Sequence, residues 1–168
     1  MTTKQDNFAK KHFLIADDSD AFRSSIKVML HRLGVKYIET ASVGREAILL
    51  YKQKCHEVVL MDFNFGRGTN GQQILAEMVE KNILKRTSIF VMVTAENERA
   101  AVMSALEYRP DDYIAKPFTF SEIFKCLNNF FPEHFIIISE QQAEPEQTGI
   151  EPVNLAELSI DKKALDEL

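Results

Sequence analysis

Cysteine is scarce: the 168 residues include only Cys55 and Cys126, with no CxxC pair and no histidine cluster beside them. A disulfide framework and a zinc site are therefore not indicated, and both cysteines read as small core residues in a reducing compartment. Long apolar runs are also missing. None approaches bilayer-spanning length, and residues 1–11 are polar where a secretory signal would be apolar. The expectation is a soluble, cytoplasmic protein with no membrane partner. A basic excess is absent too: the formal net charge is −5, and residues 140–168 hold eight acids against two bases. Residues 1–139 then hold 17 acids and 18 bases. A nearly neutral body with an acidic tail lacks the basic face of a direct nucleic-acid binder. No repeat of fixed period is visible.

What is present is enough for one well-buried core, since 45% of the residues are hydrophobic. Five short apolar runs, 12–16, 35–41, 57–61, 88–93 and 113–115, alternate with five helical patterns. Several runs are nearly continuous in Val and Ile, which fits strands of a parallel sheet buried on both faces. Ser19 opens a helix carrying Phe22, Ile26, Met29, Leu30 and Leu33, and Gly34 supplies its stop. Ser42 is the expected cap of a second helix that turns Ala47, Ile48 and Tyr51 inward. Ile74, Leu75, Met78 and Val79 mark a third, and Ala101, Val102, Ala105 and Leu106 a fourth. The fifth starts with a capping box, Thr119 and Glu122, and a hydrophobic staple, Phe118 and Ile123, and Pro132 ends it. Strand and helix alternating five times predict a doubly wound α/β fold with a five-stranded parallel sheet, flavodoxin-like in the order 2-1-3-4-5, and helices on both faces.

The expected compact domain covers 1–131. Residues 132–152 read as a small apolar patch followed by a Gln, Glu and Pro linker. Residues 153–168, with Leu155, Leu158, Leu165 and Leu168, read as a short amphipathic segment, either the start of an output domain beyond the chain or a docking tail of a stand-alone domain.

Charged and hydroxyl side chains gather at the strand ends. Asp17 and Asp18 follow the first strand, Asp62 follows the third, Thr94 closes the fourth run and Lys116 the fifth. A lone pair of acids is ordinarily a solvated turn or a helix cap. Here strands one and three are expected to be neighbours, so three carboxylates meet at the switch point, where their repulsion demands a cation. Hard oxygen ligands favour Mg²⁺, with Mn²⁺ as the substitute. Thr94, followed by the small Ala95, can donate a hydroxyl to a phosphoryl oxygen, and Lys116 can bind the same group.

These residues resemble the receiver domains of two-component response regulators. The resemblance is carried by Ala16-Asp17-Asp18-Ser19, Val59-Leu60-Met61-Asp62-Phe63-Asn64, Val93-Thr94-Ala95-Glu96 and Asp112-Tyr113-Ile114-Ala115-Lys116-Pro117-Phe118, in that order, over about the first 131 residues. It implies that Asp62 is the phosphoacceptor, attacking the phosphohistidine of a sensor histidine kinase or a histidine phosphotransfer protein. It further implies that Asp18, Asp62 and the backbone carbonyl of Asn64 ligate Mg²⁺ directly and that Asp17 does so directly or through water. Thr94 and Lys116 would hold the phosphoryl oxygens, the Lys116–Pro117 bond would be cis, and Tyr113 would be the aromatic that turns inward when Thr94 shifts. Such a protein is a phosphorylation-dependent switch that assists its own phosphorylation and dephosphorylation, rather than a turnover enzyme, and its message passes to a protein target or an output domain. Asn64 and Glu96 match the two positions flanking the hydrolytic water in similar receivers, so a relatively rapid loss of the phosphoryl group is expected.

The loop after Asp62 departs from the pattern. It lacks the usual Met-Pro and is one residue longer, with Gly66 and Gly68 able to absorb the insertion through positive φ. The stretch from Ala105 to Tyr113 is similar to receivers joined to helical-repeat modules, and a homodimer through the fourth and fifth helical segments is compatible with the sequence. Two other classes compete. A haloacid-dehalogenase-type Mg²⁺ phosphatase also combines Asp, Thr, Lys and metal, but it needs DxD after the first strand, where this chain has Asp17-Asp18-Ser19-Asp20. A non-phosphorylated, receiver-shaped scaffold would not need the intact acid set.

Overall fold

The computed structural model describes residues 8–65, 68–95 and 108–135. In chain order the elements are β1 (His12–Ala16), α1 (Asp20–Arg32), β2 (Tyr37–Ala41), α2 (Gly44–Lys54), β3 (Val58–Asp62), α3 (Gly71–Glu80), β4 (Ile89–Ala95), β5 (Asp112–Lys116) and α4 (Phe120–Phe130). The five strands form one sheet in the order β2-β1-β3-β4-β5, and every neighbouring pair is parallel. The expected topology is thus observed. The helical segment expected around Ala101–Leu106 (101–106), Glu96, and everything expected after residue 135 lie outside the described residues.

Successive side chains of a strand point to opposite faces, and two apolar layers follow from that alternation. Phe13, Ile15, Val58, Leu60, Val91 and Val93 face one way, onto Ile26 and Leu30 of α1 and Ile123 and Leu127 of α4. Leu14, Val59, Met61, Phe90 and Met92 face the other, onto Ala47, Ile48 and Tyr51 of α2 and Ile74, Leu75 and Met78 of α3. Each large side chain removed from water here contributes roughly 2 kcal/mol before entropy is subtracted. The first layer continues past α4: residues 132–135 make a helical turn, and Phe135 packs at 4.9 Å from Phe124 while His134 stacks on Phe8 at 4.0 Å.

Local chemistry explains the boundaries. The Ser19 hydroxyl accepts the Phe22 N–H at 3.4 Å and starts α1, and Gly34, at φ 91°, leaves it. Val35 does not begin β2 as expected: its N–H still closes the helix end on the Leu30 carbonyl at 3.1 Å. The cap of α2 is a second correction. Val43 holds the N-cap position without a side-chain bond. Ser42, the expected cap, instead donates its N–H and hydroxyl to the Glu46 carboxylate at 2.8 and 3.3 Å. The start of α4 behaves as expected, with the Glu122 carboxylate accepting the Thr119 N–H at 2.6 Å. Among the described residues no helix is long and apolar enough to cross a membrane.

Candidate functional site

The site is assembled where β1 and β3 lie side by side. Asp17 extends the β1 ladder by one bond, its N–H donating to the Ala41 carbonyl at 3.1 Å. Its Oδ1 then accepts the Ser19 N–H at 2.8 Å, turning the chain into α1. That turn buries Asp17 and leaves Asp18 exposed. Asp62 is the last residue of β3 rather than the residue after it, and it is buried as well. Because Ala16 pairs with Met61, the three acids converge, with a ligand oxygen from each lying within 4.8 Å of the others.

Lys116, the last residue of β5, reaches over this cluster. Its Nζ donates to Asp17 Oδ2 at 2.6 Å and to Asp62 Oδ1 at 2.9 Å, across 99 and 54 residues of sequence. The next peptide bond, Lys116–Pro117, is cis, as the resemblance implied. Two buried carboxylates now share one ammonium, and the exposed Asp18 adds a further negative charge.

The electrostatics follow from that imbalance. Burial pushes the Asp62 carboxyl above its usual range, and the Asp17 charge adds to it; the hydrogen bond and charge of Lys116 and a backbone bond from Asn64 offset only part of the rise. For Lys116 burial pulls downward, but the two carboxylate bonds outweigh it, so the ammonium is held above its ordinary range. A site that keeps an excess of negative charge out of water can hold a cation. Its donors are all oxygens, two of them buried and one open to solvent, which fits a hard divalent ion such as Mg²⁺ or Mn²⁺.

The remaining expected residues surround this centre. Thr94 is fully buried next to the end of β4, its hydroxyl donating to the Ala95 carbonyl at 3.3 Å. Val93 lies opposite Asp62 and Ala95 opposite Lys116 in the sheet, which puts Thr94 between the acid and the lysine. Tyr113 is half-buried against the α2–α3 layer. Asn64 follows in the loop, and Glu96 is outside the described residues. The lengthened loop is pinned at both ends: the Phe63 N–H donates to the Val93 carbonyl at 2.7 Å and the Gly71 N–H to the Phe63 carbonyl at 2.8 Å. Gly68 has φ 122°, one of the two positive values expected for this loop. Gly71 must be glycine for a different reason, since a Cβ there would collide with the Asp62 carbonyl oxygen.

Two neighbours of the site were not read from the sequence. The Arg23 guanidinium donates to the Asp17 carbonyl and pairs with Asp20. Phe22 places its ring 4.4 Å from the Lys116 ammonium. The one available signal was position: both fall in the first turn of a helix that begins at the acid pair.

A parallel sheet in this order, with an acid cluster and a lysine at its switch point, defines a flavodoxin-like α/β protein built around a charged ligand site. The chain belongs to the response regulator receiver domain family, whose sequence pattern matches residues 13–128. It is 29% identical over 118 residues to a probable chemotaxis protein CheY of Rhizobium etli, covering 70% of this chain and 90% of that one. Against chemotaxis protein CheY-3 of Vibrio cholerae the figure is 30% over 118 residues, covering 70% and 89%. Among solved structures, a CheY-like receiver domain protein from Methanospirillum hungatei superimposes with a TM-score of 0.62 at 28% identity, covering 74% of this chain and 97% of that one. Members of this family are phosphoacceptor regulators of two-component signalling, which agrees with the fold and the acid cluster.

Proposed function

We propose that Asp62 is the phosphoacceptor of a two-component switch, charged by a sensor histidine kinase or a histidine phosphotransfer protein. The observation that carries this reading is the buried pair Asp17 and Asp62 bridged by one lysine, with Asp18 open beside them. Asp17, Asp18, Asp62 and the Asn64 carbonyl would hold Mg²⁺, or Mn²⁺ in its place. When bound, the ion supplies positive charge that screens an incoming phosphoryl group from the carboxylates.

Asp62 does the bond-making. A carboxylate oxygen attacks phosphorus, the new P–O bond forms as the P–N bond of the donor phosphohistidine breaks, and the electron pair leaves with the imidazole nitrogen. Lys116 then exchanges its bond to Asp62 for one to a phosphoryl oxygen, and the Thr94 hydroxyl turns from the Ala95 carbonyl to another. The phosphoryl group adds about −1.5 to −2 charges by analogy with phosphorylated hydroxyls. That charge biases the loops around Thr94 and Tyr113 toward a second packing, which a protein target or an output domain reads. Asn64 and Glu96 tune hydrolysis of the acyl phosphate. Residues 132–135 belong to the packed domain, so the linker to an output element begun by 153–168 starts after them, and the setting is the cytoplasm, where such kinases present their phosphohistidine.

Intact-mass analysis after incubation with Mg²⁺ and acetyl phosphate tests the assignment. Wild type gains one phosphoryl group and Asp62→Ala gains none. Equal uptake by both would overturn it.

A further inference from the structure

Lys116 has a third partner that none of the assigned roles includes. Two directions around its ammonium are taken by Asp17 and Asp62, at 2.6 and 2.9 Å, and the Phe22 ring covers another at 4.4 Å. The face of an aromatic ring carries negative potential, so a cation within about 6 Å of its centroid is attracted without a formal bond. We propose that Phe22 is a positioning residue for phosphoryl transfer, holding the Lys116 ammonium over the acid cluster through its ring face. This inference rests on the phosphoacceptor reading of Asp62.

The ring is itself held from both sides. The Phe22 N–H donates to the Ser19 cap at 3.4 Å, which ties the residue to the turn that carries the acid pair. Its ring lies 5.9 Å from that of Phe118, two residues beyond Lys116. Phe22 therefore links the start of α1 to the end of β5 on either side of the lysine. A free lysine samples many rotamers, and fixing one needs a partner that opposes that entropy.

The chemistry favours an aromatic partner here over a third carboxylate. Before transfer, Asp62 anchors Lys116 directly. Once Asp62 becomes an acyl phosphate its carboxylate charge is gone, and the lysine must move to a phosphoryl oxygen. An additional acid would compete for that ammonium and add to the negative charge. The Phe22 ring holds it in either arrangement and competes with neither.

The test compares wild type, Phe22→Leu and protein carrying progressively fluorinated phenylalanine at position 22, which drains the ring's negative face while keeping its shape. The initial rate of phosphorylation by acetyl phosphate with Mg²⁺ is expected to fall roughly fivefold in Phe22→Leu and stepwise along the fluorinated series. The ε-methylene protons of Lys116 are read independently by NMR. They are shifted upfield by the ring in wild type, and that shift is lost in Phe22→Leu. A rate insensitive to fluorination, or a Lys116 signal indifferent to position 22, overturns the inference. If wild type takes up no phosphoryl group, the phosphoacceptor reading fails, and the Lys116 signal alone decides whether Phe22 positions the lysine. Should Phe22→Leu unfold, the fluorinated proteins carry the test, since they change charge distribution and not packing.

Discussion

The two ends of the sheet both bury polar groups, and they balance them in opposite ways. At the amino-terminal end the groups pair mostly with one another, and among them only His56 Nδ1 is left without a partner. His56 is fully buried and its Nε2 lies 2.7 Å from Glu39, which also takes Lys54 at 3.1 Å. Ser88 donates to the His56 carbonyl at 2.8 Å and meets the Tyr51 hydroxyl at 2.6 Å, and that hydroxyl accepts the Lys85 N–H at 3.0 Å. At the carboxyl end, two buried acids share one lysine while a third acid waits in solvent. A network paired largely within itself locks its neighbours in one arrangement. An unbalanced one leaves a charge that a bound cation would offset. The contrast separates polar burial that specifies the fold from polar burial that specifies a function.

The largest effect that could break this contrast is metal-dependent stabilisation. Mg²⁺ bound by the folded acid cluster alone raises stability by about 2.7 kcal/mol at a hundredfold excess over its Kd. The thermal midpoint of wild type should climb with Mg²⁺ and return on chelation, while Asp17→Asn shows little of either. A wild-type midpoint indifferent to Mg²⁺ would mean that the carboxyl end is balanced after all.

Next in size is the hydroxyl that joins the other end together. Tyr51→Phe keeps the ring in the core but strips the partner from the Lys85 N–H and from Ser88, so it should cost about 1–3 kcal/mol in denaturant unfolding. Phosphoryl uptake should be unchanged. A Tyr51→Phe protein as stable as wild type would show that the network is ornamental, and one that loses uptake would show that the two ends are coupled.

The smallest effect is one of pH. Burial pulls His56 below its ordinary 6.5, against the opposing pull of Glu39, and burial likewise lowers His134, which holds the Leu33 carbonyl at 3.2 Å. The folded protein thus keeps both rings neutral where the unfolded chain begins to take up protons. Their contribution is complete above 6.5 and declines as the pH falls below it, by at most about 1.4 kcal/mol per pH unit for each ring. Glu39, depressed by Lys54 and His56 against the upward push of burial, adds to the loss at more acid pH. His134→Phe, which keeps an aromatic face for Phe8, should flatten the fall in thermal midpoint between about pH 7.5 and about pH 5.5. An unaltered slope would place the acid sensitivity elsewhere.

Much of the carboxyl end was legible beforehand because a parallel strand announces its own end. An apolar run that stops at Asp17, Asp62, Thr94 or Lys116 fixes both the edge and the identity of what stands there. The amino-terminal end carries no such signal. Tyr51 reads simply as an inward-facing apolar ring of α2, and nothing near it in sequence names Ser88 or Lys85 as its partners. Ser42 misled for a related reason: its capping capacity is real, but Glu46 one turn on takes both of its donors, and the helix starts one residue later.

The class of the fold and the kinds of side chain at the site were thus determined by the sequence alone, since they follow from hydrophobic period, turn chemistry and the rule that parallel strands need crossovers, whereas the strand order was expected only by analogy with flavodoxin-like folds. Which acid is buried, which lysine bond is made to which oxygen, that Phe22 meets Lys116, and that Gly71 must clear the Asp62 carbonyl were decided by tertiary structure. These are matters of a few ångströms between residues far apart in the chain, and only the packing of the sheet against its helices sets such distances.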